Sequence, residues 1–265
     1  MLLAIDVGNT NTVFAVYSER VCLGQWRLST NRERTADEYA ALLIQLMSLK
    51  GLAHREIGAI LISSVVPQAV TPLRWMCRDF FRCRAHVVGE DLGYPIQVLL
   101  ANPREVGADR LVNAVAAVKR YEPPLIIIDF GTATTFDVVD EAGSYRGGVI
   151  TAGINLSLES LHRAAAQLPR IAVAAPERVI GRSTVEAMQS GVYWGYVGLI
   201  DGLAARIRRE FGRPMRVVAT GGLAPLFAGG CEAIGHVDPD LTMSGLLEIY
   251  ELNRDLIRCR PEEAA

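Results

Sequence analysis

Two short stretches of this sequence place an acid, a glycine and a run of hydroxyl or amide side chains in the same order: Asp6-Val7-Gly8-Asn9-Thr10-Asn11-Thr12 and Asp129-Phe130-Gly131-Thr132-Ala133-Thr134-Thr135. In each, an aspartate closes an apolar run, and the glycine lets backbone pass close to a ligand. The short polar side chains and their N–H groups suit phosphate oxygens, and Asp6 can hold Mg²⁺ directly or through water. A single such turn is equally an ordinary β-turn, because Gly, Asn and Asp are its usual residues. Aligning the two aspartates sets Gly8 on Gly131 and Thr12 on Thr135. The matching flanks predict a repeated unit whose two turns face each other across a cleft and grip a polyphosphate from both sides.

A second constellation is Gly107-Ala108-Asp109-Arg110, at or just before the start of a helix. A helix start offers free N–H groups and a partial positive charge. Asp109 can orient an attacking hydroxyl and accept its proton late in transfer, although an ordinary Asp, with a pKa of roughly 3.9, is a weak base. Arg110 can bind a carboxylate in bidentate fashion or steady phosphate charge. The plainer alternative is an Asp at the helix N-terminus and an Arg paired on the surface. A third glycine turn, Thr220-Gly221-Gly222, follows an apolar run and allows close approach of backbone to a ligand. There is no GxxxxGK[ST] and no GxGxxG followed by a helix, which argues against P-loop and dinucleotide sites. The four histidines are too dispersed for a local metal motif.

These residues need elements to hold them. Strands are expected over 2–7, 12–17 and 23–29 as an antiparallel meander, then a helix from Thr35, whose spacing to Glu38 is that of a capping box. A buried strand stops at Pro67, where a helix with proline near its start follows. After the helix containing Asp109, Pro123-Pro124 punctuates the chain and the pattern restarts at Leu125. Strands are again expected in "TTFDVVD" and "SYRGGVIT", a helix over 156–167, and a long one from Ser183 to about Phe211. Gly191, Gly195, Gly198 and Gly202 share one face of that helix. They predict close packing against another backbone, either within the chain or in a dimer. The order of elements predicts a duplicated α/β architecture, with domains over 1–117 and 118–255 and a frayed tail over 256–265.

Composition sets the outer limits. Half of the 265 residues are hydrophobic and 21% are charged, enough for a sizeable core. Lys and Arg number 27 against 29 Asp and Glu, so no net field attracts nucleic acid or an anionic membrane. The start lacks a basic region before its apolar run, no apolar run is long enough to cross a bilayer, and the five scattered cysteines lack CxxC spacing. A soluble cytoplasmic protein with free thiols is expected.

The motifs "DVGNTN", "SSVVP", "NPREVGADR", "DFGTATTFD", "GGVITAG", "GRSTVEAMQSGVYWGYVGLIDG" and "TGG", in this order, resemble those of type III pantothenate kinases. These belong to the acetate and sugar kinase, heat-shock chaperone ATPase and actin superfamily. The resemblance spans about 1–255. It implies two ribonuclease-H-like domains with a nucleotide cleft between them, and ATP-dependent phosphorylation of pantothenate, the first step of coenzyme A synthesis. It implies that Asp6 associates with Mg²⁺ and that Asp6, Val7, Gly8, Asn9, Thr10, Asn11, Thr12 and Val13 form the first phosphate-binding segment. Thr132 would contact ATP, with Gly221 and Gly222 near it. Asp129 would be tied to a monovalent cation, K⁺ or NH₄⁺. Gly107, Ala108, Asp109 and Arg110 resemble the pantothenate-binding tetrad, with Asp109 as general base, and Thr184 resembles a further pantothenate contact. Such enzymes are homodimers. Leu100 stands where many relatives carry tyrosine, which keeps an apolar wall for the substrate and loses a hydroxyl. Other readings on the same fold are a kinase of another small hydroxy metabolite, or an ATP-binding regulatory protein without this chemistry, which would have no need of a base at Asp109.

Overall fold

The computed structural model describes residues 1–164 and 168–257. By its internal packing the chain divides into two units: Met1–Gln97 with Asn102–Ala116 and the chain from Leu241 onward, and Val98–Ala101 with Ala117–Asp240.

In the first unit, β1 (Leu2–Val7), β2 (Asn11–Ser18) and β3 (Val21–Ser29) form the expected meander. After α1 (Ala36–Leu49) come β4 (Ala59–Ser64), α2 (Pro67–Phe81) and β5 (Ala85–Val87). The sheet order is β3-β2-β1-β4-β5, with β1 antiparallel to β2 and parallel to β4. Alternation along β1 decides its two faces. Leu3, Ile5 and Val7 join a core with Leu43 of α1 and Leu73 of α2. Leu2 and Ala4 face the other way, into a core completed by Val112 and Val115 of α3 (Ala108–Arg120). The expected capping box is fully formed: Glu38 N–H donates to Thr35 Oγ1, and Thr35 N–H donates to Glu38 Oε2.

The second unit holds β6 (Leu125–Phe130), β7 (Ala133–Val139), β8 (Tyr145–Ala152), α4 (Ile154–Ala164), α5 (Thr184–Phe211), β9 (Arg216–Gly221), α6 (Ala224–Ala228) and β10 (His236–Val237). Its sheet order, β8-β7-β6-β9-β10, repeats the first, again with two antiparallel pairs followed by parallel ones. Even the bulge recurs, between Val16 and Tyr17 in the first sheet and between Val138 and Val139 in the second. On one face Ile126, Ile128 and Phe130 pack with Tyr193, Tyr196 and Ile200 of α5 and with Phe227 of α6; the Phe130 and Phe227 rings stack at 5.5 Å. The expected helix over 156–167 begins at Ile154; positions 165–167 lie outside the described residues.

Three expectations are corrected. The second domain does not run to 255: α7 (Leu241–Leu252) and α8 (Arg254–Ile257) belong to the first unit. Met243, Leu246 and Ile249 of α7 cover the β1/β4 face formed by Leu2, Ala4 and Leu61, which would otherwise stay wet. Gly245 lets α7 approach α3, since a Cβ there would stand 2.1 Å from Val112 O. The tail expected over 256–265 is helical at its start, with Ile257 buried; positions 258–265 lie outside the described residues. The thiols are not all free: Cys77 and Cys231 are, whereas Cys83 is disulfide-bonded. Among the described residues, no helix is long and apolar enough to cross a membrane.

Candidate active site

The first phosphate-type turn connects β1 to β2. Asp6 is the penultimate residue of the strand, on the same face as Leu2 and Ala4, half-buried, and pairs across the sheet with Val13 and Ser63. Gly8 N–H donates to Asn11 O at 2.9 Å and closes the turn, leaving Asn9, Thr10 and Asn11 exposed. Thr12 is buried and tied to Thr30, whose hydroxyl lies 2.9 Å from that of Thr12 and donates to Gly8 O at 2.7 Å. Thr30 N–H also donates to Thr10 O at 2.9 Å. Thr30, just past β3, is therefore the brace of this loop. The sequence reading missed it because nothing local connects it to Gly8.

The second turn connects β6 to β7 and is one residue tighter. Val7 pairs with Thr12 across four turn residues, whereas Phe130 pairs with Thr134 across three. The structural counterpart of Thr12 is thus the buried Thr134, not Thr135 as the linear alignment has it. Thr134 Oγ1 lies 2.6 Å from Tyr196 Oη, which donates to Ala152 O at 2.9 Å. Gly131 N–H closes the turn on Ala133 O at 3.1 Å, and Thr132 is exposed.

Two glycines let other backbone settle on this turn. A Cβ on Gly153 would fall 2.2 Å from Thr132 O and 2.7 Å from Gly131 O. Gly153 is the last residue of the "GGVITAG" motif. At Gly221 the backbone is left-handed (φ 89°), and a Cβ would fall 2.7 Å from both Asp129 Oδ1 and Phe130 O. The third glycine turn is thereby seated directly on the second aspartate, as the pairing of Asp129 with Thr220 requires. Gly222 is exposed, with nothing within 4 Å of its notional Cβ.

Asp109 occupies the first turn of α3, within the first unit. Arg110 N–H donates to its Oδ1 at 2.8 Å. The carboxylate folds back over Gly107, where a Cβ would be 2.6 Å from Oδ1, so the glycine of the tetrad makes room for the acid two residues on. Burial pushes the Asp109 carboxyl above the ordinary range, opposed by the Arg110 N–H and the Arg110 charge. Tyr94 stands close enough that Asp109 adds to the effect of burial in raising its phenol to about 12. No sequence signal marks Tyr94 as part of this environment.

The remaining expected residues lie in the second unit. Leu100 approaches Gly147, whose notional Cβ would be 3.3 Å from Leu100 Cδ2, and the neighbouring Leu99 N–H donates to Tyr145 O at 2.9 Å. Thr184 is exposed at the start of α5, after Ser183, whose hydroxyl accepts from Glu186 N–H at 3.2 Å. Along α5 the glycine face is open at three of its four positions among the described residues. Nothing among the described residues lies within 4 Å of a Cβ on Gly191, Gly195 or Gly198. Among the described residues there is also no cluster of three or more His, Cys, Asp or Glu that could form a metal site by itself.

The family model for type III pantothenate kinase matches residues 2–206. A type III pantothenate kinase from Paramagnetospirillum magneticum is 59% identical over 261 residues, spanning 97% of this chain and 100% of that protein. One from Rhodospirillum rubrum is 60% identical over 255 residues, spanning 96% and 99%. Among solved structures, a conserved Campylobacter jejuni protein assigned to the Baf family of transcriptional activators superposes with a TM-score of 0.61 at 17% identity, covering 96% of this chain and 99% of that one. The activator of 2-hydroxyisocaproyl-CoA dehydratase from Clostridium difficile, solved with bound ADPNP, superposes with a TM-score of 0.52 at 13% identity, covering 96% and 97%. These structures share the fold, two α/β units of the actin-like kind. By the family model and by relatives matched over nearly its whole length, the chain belongs to the type III pantothenate kinase family.

Proposed function

We infer that the chain phosphorylates pantothenate with ATP, giving 4'-phosphopantothenate, the first step of coenzyme A synthesis. The observation that carries the mechanism is the Asp109 carboxylate, raised by burial and held by Arg110 N–H through one oxygen. A carboxyl tuned upward is a better proton acceptor near neutral pH than an ordinary Asp. Its Oδ2 takes the proton of the primary hydroxyl of pantothenate as that oxygen bonds the γ-phosphorus of ATP. The bond from the γ-phosphorus to the bridging oxygen breaks, and ADP leaves with that electron pair. Arg110, Thr184 and the Leu100 wall orient pantothenate, and no covalent enzyme intermediate is needed.

The two aspartate turns serve one ATP, as two ribonuclease-H-like domains with a nucleotide cleft would require. The exposed residues Asn9, Thr10 and Asn11, with Thr132 and the Gly221-Gly222 turn of the second unit, bind its phosphates and sugar. A single half-buried carboxylate at Asp6 fits a Mg²⁺ that is otherwise held by phosphate oxygens and water. When bound, that ion neutralises phosphate charge. Asp129 Oδ1 and Phe130 O, gathered around the side-chain-free Gly221, form an oxygen donor set that fits a K⁺ or NH₄⁺ ion. The open glycine face of α5 supports a homodimer in which a second copy supplies the missing packing.

Pantothenate-dependent ADP formation, followed with and without K⁺, tests the reading. Asp109→Asn should lower kcat by about 10²–10⁴-fold while leaving ATP binding intact. ATP binding without any pantothenate-stimulated turnover in the unmodified protein would refute the kinase reading. Undiminished turnover in the variant would refute the role of Asp109 alone.

A further inference from the structure

A cavity of about 390 Å³ in the first unit is lined chiefly by Arg74, Trp75, Arg78, Arg82, Arg84 and Asp91. It plays no part in the chemistry above. Its origin lies in the pattern of α2. Leu73, Met76, Cys77 and Phe81 point into the core, which leaves Arg74 and Arg78 four residues apart on the outer strip. Arg82 extends that strip by four more residues, and its left-handed backbone (φ 52°) ends the helix and brings Arg84 to the same cavity. Trp75 is 52% exposed in this setting, an indole presented among guanidinium groups.

The internal carboxylates leave one positive charge in excess, with Asp79, Glu90 and Asp91 set against four arginines. Arg74 is held by Glu90 at 3.0 Å and Asp91 at 2.8 Å, and Arg78 is engaged by Asp79 through Nε at 2.6 Å and Nη2 at 2.9 Å. Asp91 also accepts Val87 N–H at 2.8 Å, and Arg84 reaches it only at 4.0 Å. Arg82 adds to the charge that lowers the Asp79 carboxyl, behind the hydrogen bond from Arg78, and among the described residues its side chain has no closer ion pair. Cations near the end of α2 complement the helix dipole. That explains Arg78; it does not explain Arg84 beyond the helix, or the exposed indole.

We propose that this cavity is a second anion site, which takes a phosphate monoester carried on a planar ring, with Arg82 and Arg84 binding the phosphate and Trp75 packing against the ring. The volume falls in the range of small-molecule pockets. Guanidinium groups match phosphate geometry, and an indole face is the natural partner of a flat heterocycle. The inference is independent of the kinase reading.

AMP is a suitable probe, added to the full-length protein in a chloride buffer free of phosphate and sulfate. Quenching of indole emission and equilibrium dialysis report binding. Quenching should disappear in Trp75→Phe, and the Arg82→Gln/Arg84→Gln double variant should lose at least about tenfold in AMP affinity at this site. That variant should keep pantothenate-dependent turnover, which also shows that it folds. Ribose 5-phosphate should bind more weakly than AMP, and adenosine more weakly still. Undiminished quenching in Trp75→Phe, or unchanged AMP affinity in the double variant, would overturn the proposal. Equal affinity for AMP and inorganic phosphate would overturn its ring component.

Discussion

The two aspartate-glycine hairpins share strand order, pairing sense and bulge position, yet they differ in how tightly their glycines are packed. The first is held by hydroxyls: Thr30 donates to Gly8 O and meets Thr12. Its glycine has some slack, since a Cβ on Gly8 would meet only Asn11 O, at 3.2 Å. The second keeps a hydroxyl pair, Thr134 with Tyr196, and adds close backbone packing at Gly153 and Gly221. A repeated topology thus carries two kinds of stiffness. A polar brace can lose an atom and partly rehydrate, whereas a backbone contact below 3 Å cannot accept a methyl group without moving the turn.

Several substitutions probe this contrast. Gly153→Ala should have the largest effect on stability, because its Cβ would overlap Thr132 O and Gly131 O; overpacking of this kind costs about 1–3 kcal/mol or more. Urea unfolding of the variant measures it, and a midpoint equal to that of the unmodified protein would remove the proposed asymmetry. Gly221→Ala should cost about 1–3 kcal/mol as well, from left-handed strain and contact with Asp129 Oδ1. It should also raise the K⁺ concentration needed for half-maximal turnover, an effect not expected of Gly8→Ala. Thr30→Val should cost about 1–2 kcal/mol and raise the KM for ATP with little change in KM for pantothenate. Gly8→Ala should cost under about 1 kcal/mol, since Asn11 O needs to give by only a few tenths of an ångström.

The smallest effect concerns Asp109 and pH. Its folded pKa lies above its unfolded value, so the folded state holds the proton more tightly. The contribution to stability is fully present below the unfolded value, roughly 3.9, and is lost as pH rises through the raised folded value. Asp109→Asn should therefore flatten the dependence of unfolding free energy on pH in that window and slightly stabilise the protein at neutral pH. The same titration should set the acid limb of kcat/KM above the ordinary carboxylate range. An acid limb at or below that range would contradict the burial of Asp109.

Much of the frame was legible in the residue pattern. The alternation of β1, the reciprocal Thr35–Glu38 cap and the length of α5 are local properties, fixed by periodicity and by hydrogen bonds between near neighbours. The proposed site was drawn from places where chemistry and spacing coincide, at Asp6, Asp109 and Asp129. It was illegible where a residue acts across the fold. Thr30 is 22 residues from Gly8, and Tyr94 reaches the Asp109 environment from a loop without a motif. Matching the turns residue by residue placed Thr12 on Thr135, because a turn one residue shorter leaves no mark in composition.

The sequence by itself determined the two acidic turns, the tetrad around Asp109, the strand and helix types and the family. All of these depend on residue identity and short-range order. Only the tertiary structure decided that α7 returns to cover the first sheet, that Thr134 is the counterpart of Thr12, and that Gly153 and Gly221 must lack side chains. It also revealed that, among the described residues, nothing packs on Gly191, Gly195 or Gly198 of α5. Each of these depends on which distant surfaces come within a few ångströms, where burial and steric exclusion act without regard to separation along the chain.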